Sequence, residues 1–282
     1  MAHQETAGTG TLYIVSTPIG NLEDVTLRAL RVLKEVSLVA AEDTRRIRKL
    51  LQAYGIKTPV MSLYDHVESR KAPLLISRLR EGEDVAYVCD AGTPLVSDPG
   101  YILVRRAIED GVTVVPVPGP SAVIAALSVA GLPTDRFIFC GFPPSKAARR
   151  RQFLKALANE TATLVFFESP RRLQACLEDL HALWGDRRAV ITRELTKKFE
   201  EIYRGTLPEL LLRLKSERVR GEITLLVEGS PSGTPQGDTA DLRDRIRKLR
   251  ENPSLTNKDI VGILASETRL PRSKIYREVL RK

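Results

Sequence analysis

The chain has no apolar run approaching the roughly 18 residues that a membrane span requires. Its opening, MAHQETAGTG, combines neither a basic segment nor an apolar one, so no secretory signal is expected there. Cysteine is scarce: Cys89, Cys140 and Cys176 stand apart, odd in number, in no zinc-type or redox-type spacing. A reducing cytoplasm is the compartment this implies. His3, His66 and His181 are equally scattered, so no metal site is expected.

Neutrality is absent too. Lys and Arg number 44 against 35 Asp and Glu, a formal charge of +9 that suits a polyanionic partner or serves solubility alone. Hydrophobic residues make up 43% of the 282, enough for a true core.

The first half alternates Val/Ile-rich strands with amphipathic segments: TLYIVS, SLVAAED, PVMSLYD, DVAYVCD and VTVVPVPG are strands, with helices between them. One helix is expected from about Asp24 to Val36, one over TRRIRKLLQAY, and one from Ser69 in SRKAPLLISRLREG. This pattern predicts βαβ units and a parallel doubly wound sheet, whose ligands gather at the carboxyl ends of the strands. The second half restarts at RFIFCGF, and RAVITREL runs into EEIYRG with no helix between, so a mixed sheet is expected. The fold class is therefore two α/β domains, over 11–118 and 119–229. A Gly/Pro/Ser-rich linker over 230–240 precedes a helical, helix-turn-helix-like tail over 241–282. In the tail, basic residues outnumber acidic ones two to one, Ser273 is placed to cap the last helix, and ETRLPR is the expected turn. Such a tail either faces nucleic acid or forms a solvated cap on the body.

Three turns carry the chemistry: STPIGN (16–21), CDAGTPLVSDPG (89–100) and PVPGPSA (116–122). None contains Lys or Arg, and none matches a dinucleotide or P-loop fingerprint. A di- or triphosphate would meet Asp90 and Asp98 without a cation to balance it. A ligand that is cationic at its reactive centre fits better, and S-adenosyl-L-methionine, with a sulfonium and an ammonium but no phosphate, is such a ligand.

Together with LYIVSTPIGNLEDVTLRAL, AAEDTRR, YDH, FFESPRRL and RELTKKFEEIYRGTL, these turns resemble the bacterial 16S ribosomal RNA 2′-O-ribose cytidine methyltransferases of the tetrapyrrole-methylase superfamily. The resemblance runs from about Thr11 to Gly229. It implies a homodimer with S-adenosyl-L-methionine as cofactor and 16S rRNA of the small ribosomal subunit, near the decoding region, as substrate. Carried over, Pro18, Asp90, Gly92, Thr93, Val96, Ser121, Ala122, Leu195, Ile223 and Thr224 are the cofactor residues. Thr93 stands where the superfamily has an aspartate, and Arg171 where relatives often have histidine.

Ribose methylation is an in-line displacement that needs alignment and a proton acceptor. His66, Asp43 and Glu168 are the candidate catalytic groups, with Asp65 beside them. Arg45, Arg46, Arg171, Arg172 and Lys197 are the candidate RNA contacts. Alternatives stand beside each reading. His66 could cap the following helix, Arg45 and Arg46 could form a structural pair with Asp43, and the basic SKAARRR segment (145–151) could be a surface loop instead of an RNA contact. At the level of activity, the alternatives are a corrin-type or protein methylase on the same fold and a non-catalytic RNA-binding factor.

Overall fold

The computed structural model describes residues 8–216, 220–231, 239–252, 255–268 and 272–280. Two compact units emerge: Met1–Val129 with Thr192–Ile202 and Gly221–Thr224, and Ala130–Ile191 with Tyr203–Arg220 and Leu225–Lys282. Both sheets have five strands, and the α/β class follows from the alternation seen in the sequence.

The first sheet uses β1 (Thr11–Val15), β2 (Leu38–Ala41), β3 (Val60–Ser62), β4 (Val85–Val88) and β5 (Thr113–Val117), in the order β3-β2-β4-β1-β5. All its pairings are parallel. Strand alternation divides the core in two. Val39, Ala41, Ala86 and Val88 face α1 (Leu27–Glu35) and α2 (Thr44–Ala53), meeting Val32, Leu33, Ile47 and Leu50. Leu38, Ala40, Val85 and Tyr87 face α3 (Asp65–Arg80) and α4 (Tyr101–Glu109), meeting Leu75, Leu79 and Leu103. Full burial of each such leucine contributes about 1.5–3 kcal/mol. After β5 the chain enters α5 (Ala122–Ala130).

Local chemistry sets the helix starts. Thr26 accepts the Ala29 N–H to cap α1, and Asp43 accepts the Arg45 N–H to cap α2. The α4 start has no such side chain, because Gly100 occupies the cap position in a left-handed conformation, φ 118°. Instead Glu68 of α3, itself 2% exposed, accepts the Leu103 N–H at 2.9 Å. An acid at a helix N-terminus is favoured by the dipole. Only glycine fits at position 100, since a Cβ there would lie 2.3 Å from the Tyr87 ring. The α3 helix begins at Asp65, ahead of the expected Ser69, and so takes His66 into its first turn.

The second sheet is mixed, in the order β6-β7-β10-β8-β9, with β6 (Phe137–Phe139), β7 (Thr163–Glu168), β8 (Arg188–Arg193), β9 (Glu201–Thr206) and β10 (Ile223–Val227). Its helices are α6 (Ala147–Ala156), α7 (Pro170–Trp184) and α8 (Leu207–Ser216). Proline at the first position of α7 needs no hydrogen-bond partner there. At the C-terminal end α9 (Thr239–Arg250), α10 (Asn257–Thr268) and α11 (Arg272–Leu280) enclose a small core of Leu242, Ile246, Ile260, Leu264, Ile275 and Val279. Residues 232–238 of the expected linker, residues 269–271 of the expected turn and the Ser273 side chain lie outside the described residues. Among the described residues no helix is long and apolar enough to cross a membrane.

Candidate active site

The strand order makes β4, β1 and β5 neighbours, so the turns that follow them share one edge of the first sheet. They are tied together there. Thr17 and Gly92 exchange backbone hydrogen bonds, each 2.9 Å, bridging the first turn to the second. The Thr93 hydroxyl lies 3.0 Å from that of Ser16 and donates to the Pro120 carbonyl at 3.2 Å, adding the third turn. Thr93 thus joins all three turns, a task a hydroxyl performs without adding charge. The second turn is held tightly: Gly92, Leu95, Ser97 and Gly100 all have positive φ, and two of these are not glycine. Such conformations persist only where the surroundings enforce them, and they gather at functional sites.

A cavity of about 420 Å³ opens beside these turns, within the ordinary range for small-molecule sites. Thr17, Pro18, Ile19, Gly20 and Leu22 line it from the first turn, and Cys89, Asp90 and Ala91 from the second. Arg46, Ile47, Lys49 and Leu50 of α2 form another wall, and Lys197 and Glu222 complete the lining.

Asp90 organises this wall. Its carboxylate accepts the Asp43 N–H at 2.9 Å and pairs with Arg46 at 3.2 Å. Asp43 is held by Arg45 in a two-pronged contact, 2.7 Å at its shortest, and this hydrogen bonding lowers its pKa to about 2. Behind them lies a group of acids. Burial raises the Glu42 pKa, and the charges of Asp90 and Asp98 add to it. The Asp98 carboxyl is also raised, by burial first and with Asp90 adding to it. One carboxyl oxygen of Glu42, Oε2, is buried with no hydrogen-bond partner. A cation placed near these carboxylates would relieve their repulsion. In the sequence Glu42 shares with Asp43 the place before Arg45 and Arg46, where a structural ion pair or a carboxylate beside a phosphate clamp is expected, and only Asp43 is among the catalytic candidates. The signal for Glu42 was its place at the end of a fully buried strand.

The loop between β8 and β9 approaches the first turn. Asn21 N–H donates to the Thr196 hydroxyl at 3.1 Å, and the Leu195 carbonyl lies close to Gly20. Lys197 pairs with Glu194 at 2.9 Å and Glu222 at 3.1 Å. Burial pulls the Lys197 pKa down, but the two carboxylates prevail and hold it above the ordinary lysine value. Ile223 and Thr224 follow Glu222 and are buried, with the Thr192 hydroxyl donating to the Thr224 carbonyl.

The structure therefore brings Pro18, Asp90, Gly92, Thr93 and Ser121 to one sheet edge, with Ala122 opening α5 and Val96 exposed on the second turn. Arg45 and Arg46 stand on the adjoining α2, and Leu195, Lys197, Ile223 and Thr224 belong to the same unit. His66 is exposed in the first turn of α3 and does not line the cavity. Glu168, Arg171 and Arg172 lie in the other unit. There the buried Glu168 carboxylate accepts the Ser169 N–H at 2.7 Å and pairs with Arg172 at 3.1 Å. Arg172 also donates to the Pro143 carbonyl.

The acid group has a consequence for stability. With raised pKa values, Glu42 and Asp98 hold protons in the folded state at pH values where the unfolded chain has lost them. Stability then falls as pH rises through that window, and mild acidification from neutral is expected to raise the melting temperature. Melting curves of the wild type against a Glu42→Gln/Asp98→Asn double variant measure this, since the variant loses the gain. A wild type whose melting temperature is flat over that range shows that the two carboxylates ionise without cost.

Residues 11–211 match the model of the tetrapyrrole (corrin/porphyrin) methylases. The ribosomal RNA small subunit methyltransferase I of Pseudomonas aeruginosa is 48% identical over 278 residues, 97% of this chain and 98% of the relative. The protein of the same name from Escherichia coli O157:H7 is 53% identical over 78% of each chain. Among solved structures, the uroporphyrin-III-C-methyltransferase of Thermus thermophilus has a TM-score of 0.57 at 24% identity, covering 78% of this chain and 94% of that one. A diphthine synthase has a TM-score of 0.60 at 17% identity, covering 78% and 90%. These two share the fold. The chain is a methyltransferase and belongs to the tetrapyrrole methylase family, among its ribosomal RNA small subunit methyltransferase I members.

Proposed function

We propose that the chain transfers a methyl group from S-adenosyl-L-methionine to the ribose 2′-hydroxyl of a cytidine in the decoding region of 16S rRNA. The observation that carries this is the meeting of three lysine- and arginine-free turns beside carboxylates whose pKa values are raised, with arginines on the adjoining helix. Glu42, Asp90 and Asp98 suit a ligand with a positive charge, and Gly92 and Gly119 keep the cradle open, since a Cβ at 119 would lie 3.0 Å from that of Ser16. The names of the relatives favour RNA over a macrocycle or a protein side chain as acceptor. A homodimer working in the cytoplasm, beside the ribosome, completes the reading. Exposed Tyr101, Ile108 and Ile124 offer apolar surface for the second copy.

The cofactor supplies an electrophilic methyl group on an already activated sulfonium. What remains for the protein is orientation and proton removal. Pro18, Gly92, Thr93, Val96, Ser121 and Ala122 would hold the cofactor from the three turns, with Leu195, Ile223 and Thr224 as further wall. Arg45, Arg46, Arg171, Arg172 and Lys197 would bear on the RNA. Of the candidate proton acceptors, Asp43 is occupied by Arg45 and Glu168 by Arg172 and Ser169. His66, exposed in the first turn of α3 and outside the cavity lining, is the acceptor we assign for a ribose that reaches from the cavity toward α3, with the two carboxylates ordering the residues they hold.

Incubation with methyl-labelled cofactor and either 30S particles or naked 16S rRNA tests this reading. Label is expected on the 2′-oxygen of a single cytidine. Label absent from RNA in both substrates, or found on a base, overturns it.

A further inference from the structure

Beyond the cavity, the loop from β8 to β9 displays an aromatic ring that the packing does not explain. Two successive tight turns build it: Lys197 N–H donates to the Glu194 carbonyl at 3.0 Å, and Glu200 N–H to the Lys197 carbonyl at 3.1 Å. Lys198 and Phe199 occupy the two corners of the second turn. The Glu200 carboxylate straps the loop back by accepting the Thr196 N–H at 2.6 Å. Glu194 and Thr196 are held at φ 51° and 65°, although neither is glycine. Lys197, at the base of the turn, is fixed by two carboxylates and lines the cavity. On this braced support Phe199 is 65% exposed, with the Lys198 ammonium 5.7 Å from the ring centroid.

A single apolar side chain in water is ordinary, and most need no explanation. This one is different in being rigidly presented two residues from a cavity-lining lysine. On the cavity's other wall α2 contributes Arg46 and Lys49, with Arg45 and Arg48 exposed beside them. A presented aromatic next to a cavity lined by cations matches how proteins hold single-stranded nucleic acid: charges follow the backbone while a π-face receives a base. A second copy of this chain is the less suitable partner, because lysine is depleted from the cores of protein interfaces.

We infer that Phe199 is a stacking platform for a nucleobase of the RNA strand that enters the site, with Lys198 holding the adjacent phosphate. This inference rests on the proposed RNA substrate. It makes Phe199 a positioning residue that aligns the strand without touching the reacting atoms.

The test uses the full-length protein with 30S particles and a short cytidine-containing oligoribonucleotide. Phe199→Ala is expected to lower kcat/KM for RNA by about ten-fold or more while cofactor affinity stays at the wild-type value. Phe199→Tyr and Phe199→Trp keep a π-face and retain most activity. Phe199→Leu keeps apolar bulk without that face and falls with the alanine variant. In Phe199→Trp, the new indole is read against the wild type, whose only tryptophan is the buried Trp184. Its fluorescence is expected to be quenched by the oligoribonucleotide and restored as salt rises. A leucine variant with wild-type kcat/KM overturns the inference in favour of a plain apolar contact, and an alanine variant that changes oligomeric state in sedimentation overturns it in favour of a self-interface. If the wild type methylates no RNA, the substrate assignment fails. The fluorescence readout then still decides whether a base stacks at residue 199.

Discussion

Asp179→Ala is expected to destabilise the unit that contains α6 and α7 by about 3–5 kcal/mol. Arg150, in α6, is 5% exposed and directs its guanidinium at Asp179 of α7, with Nε at 2.8 Å and a terminal nitrogen at 2.7 Å. The Ala175 carbonyl takes a longer contact at 3.4 Å, and Arg151 reaches the other Asp179 oxygen from the solvent side at 3.5 Å. Removing the carboxylate leaves a buried cation with one weak acceptor. That costs far more than the intact pair contributes. Since whole domains are stable by about 5–15 kcal/mol, the variant approaches unfolding at moderate temperature. Urea denaturation followed through the fluorescence of Trp184, whose indole donates to the Leu154 carbonyl of α6, reports this unit directly. An Asp179→Leu/Arg150→Met double variant should recover most of the loss, because apolar groups of similar size replace both charges at once. A loss below about 1 kcal/mol for Asp179→Ala, the range of an exposed pair, would show that Arg150 finds water.

That ion pair also marks where reading from sequence stops. The run SKAARRR offers three adjacent arginines, and charge alone suggests an RNA contact at each. The helix rotates one of them, Arg150, into the core, and which of three identical residues turns inward depends on a partner 29 positions away. The parallel sheet and its three turns were legible because short Val-containing strands alternate with amphipathic segments, and the three turns are rich in Gly and Pro. Their meeting at one edge follows from strand order, which the alternation implies only in outline. Thr93 illustrates the difference. Its departure from the superfamily aspartate is visible in sequence, while its hydrogen bonds to Ser16 and Pro120 are not. His66 follows the third strand as the sequence implies, but the helix after it starts at Asp65 and not at Ser69, because YDH carries no residue that marks a helix start unambiguously. Glu42 was overshadowed by Asp43, whose neighbouring arginines draw attention. Yet Asp43 is the one whose charge Arg45 meets, while Glu42 is the one with a buried carboxyl oxygen that has no hydrogen-bond partner.

Gly20→Ala is expected to cut kcat/KM for RNA by about 100-fold, the scale on which an ångström of misplacement acts, with little change in melting temperature. The position is exposed, so nothing in the core is disturbed. A Cβ there would lie 2.4 Å from Lys197 Cγ, 2.9 Å from the Thr196 hydroxyl and 3.0 Å from the Leu195 carbonyl. The lysine stem can swing aside, but its ammonium then leaves Glu194 and Glu222. The Leu195 carbonyl has less freedom, because the residues flanking it are fixed in left-handed conformations. The whole β8–β9 loop must therefore draw back from the first turn, breaking the Asn21–Thr196 hydrogen bond that spans 175 residues of sequence. Lys197→Ala removes the nearest clashing atom. If displacement of the loop causes the loss, the Gly20→Ala/Lys197→Ala double variant is more active than the sum of the two single losses allows. Strict additivity, or a Gly20→Ala enzyme with wild-type turnover, would mean that this loop can move without moving the RNA.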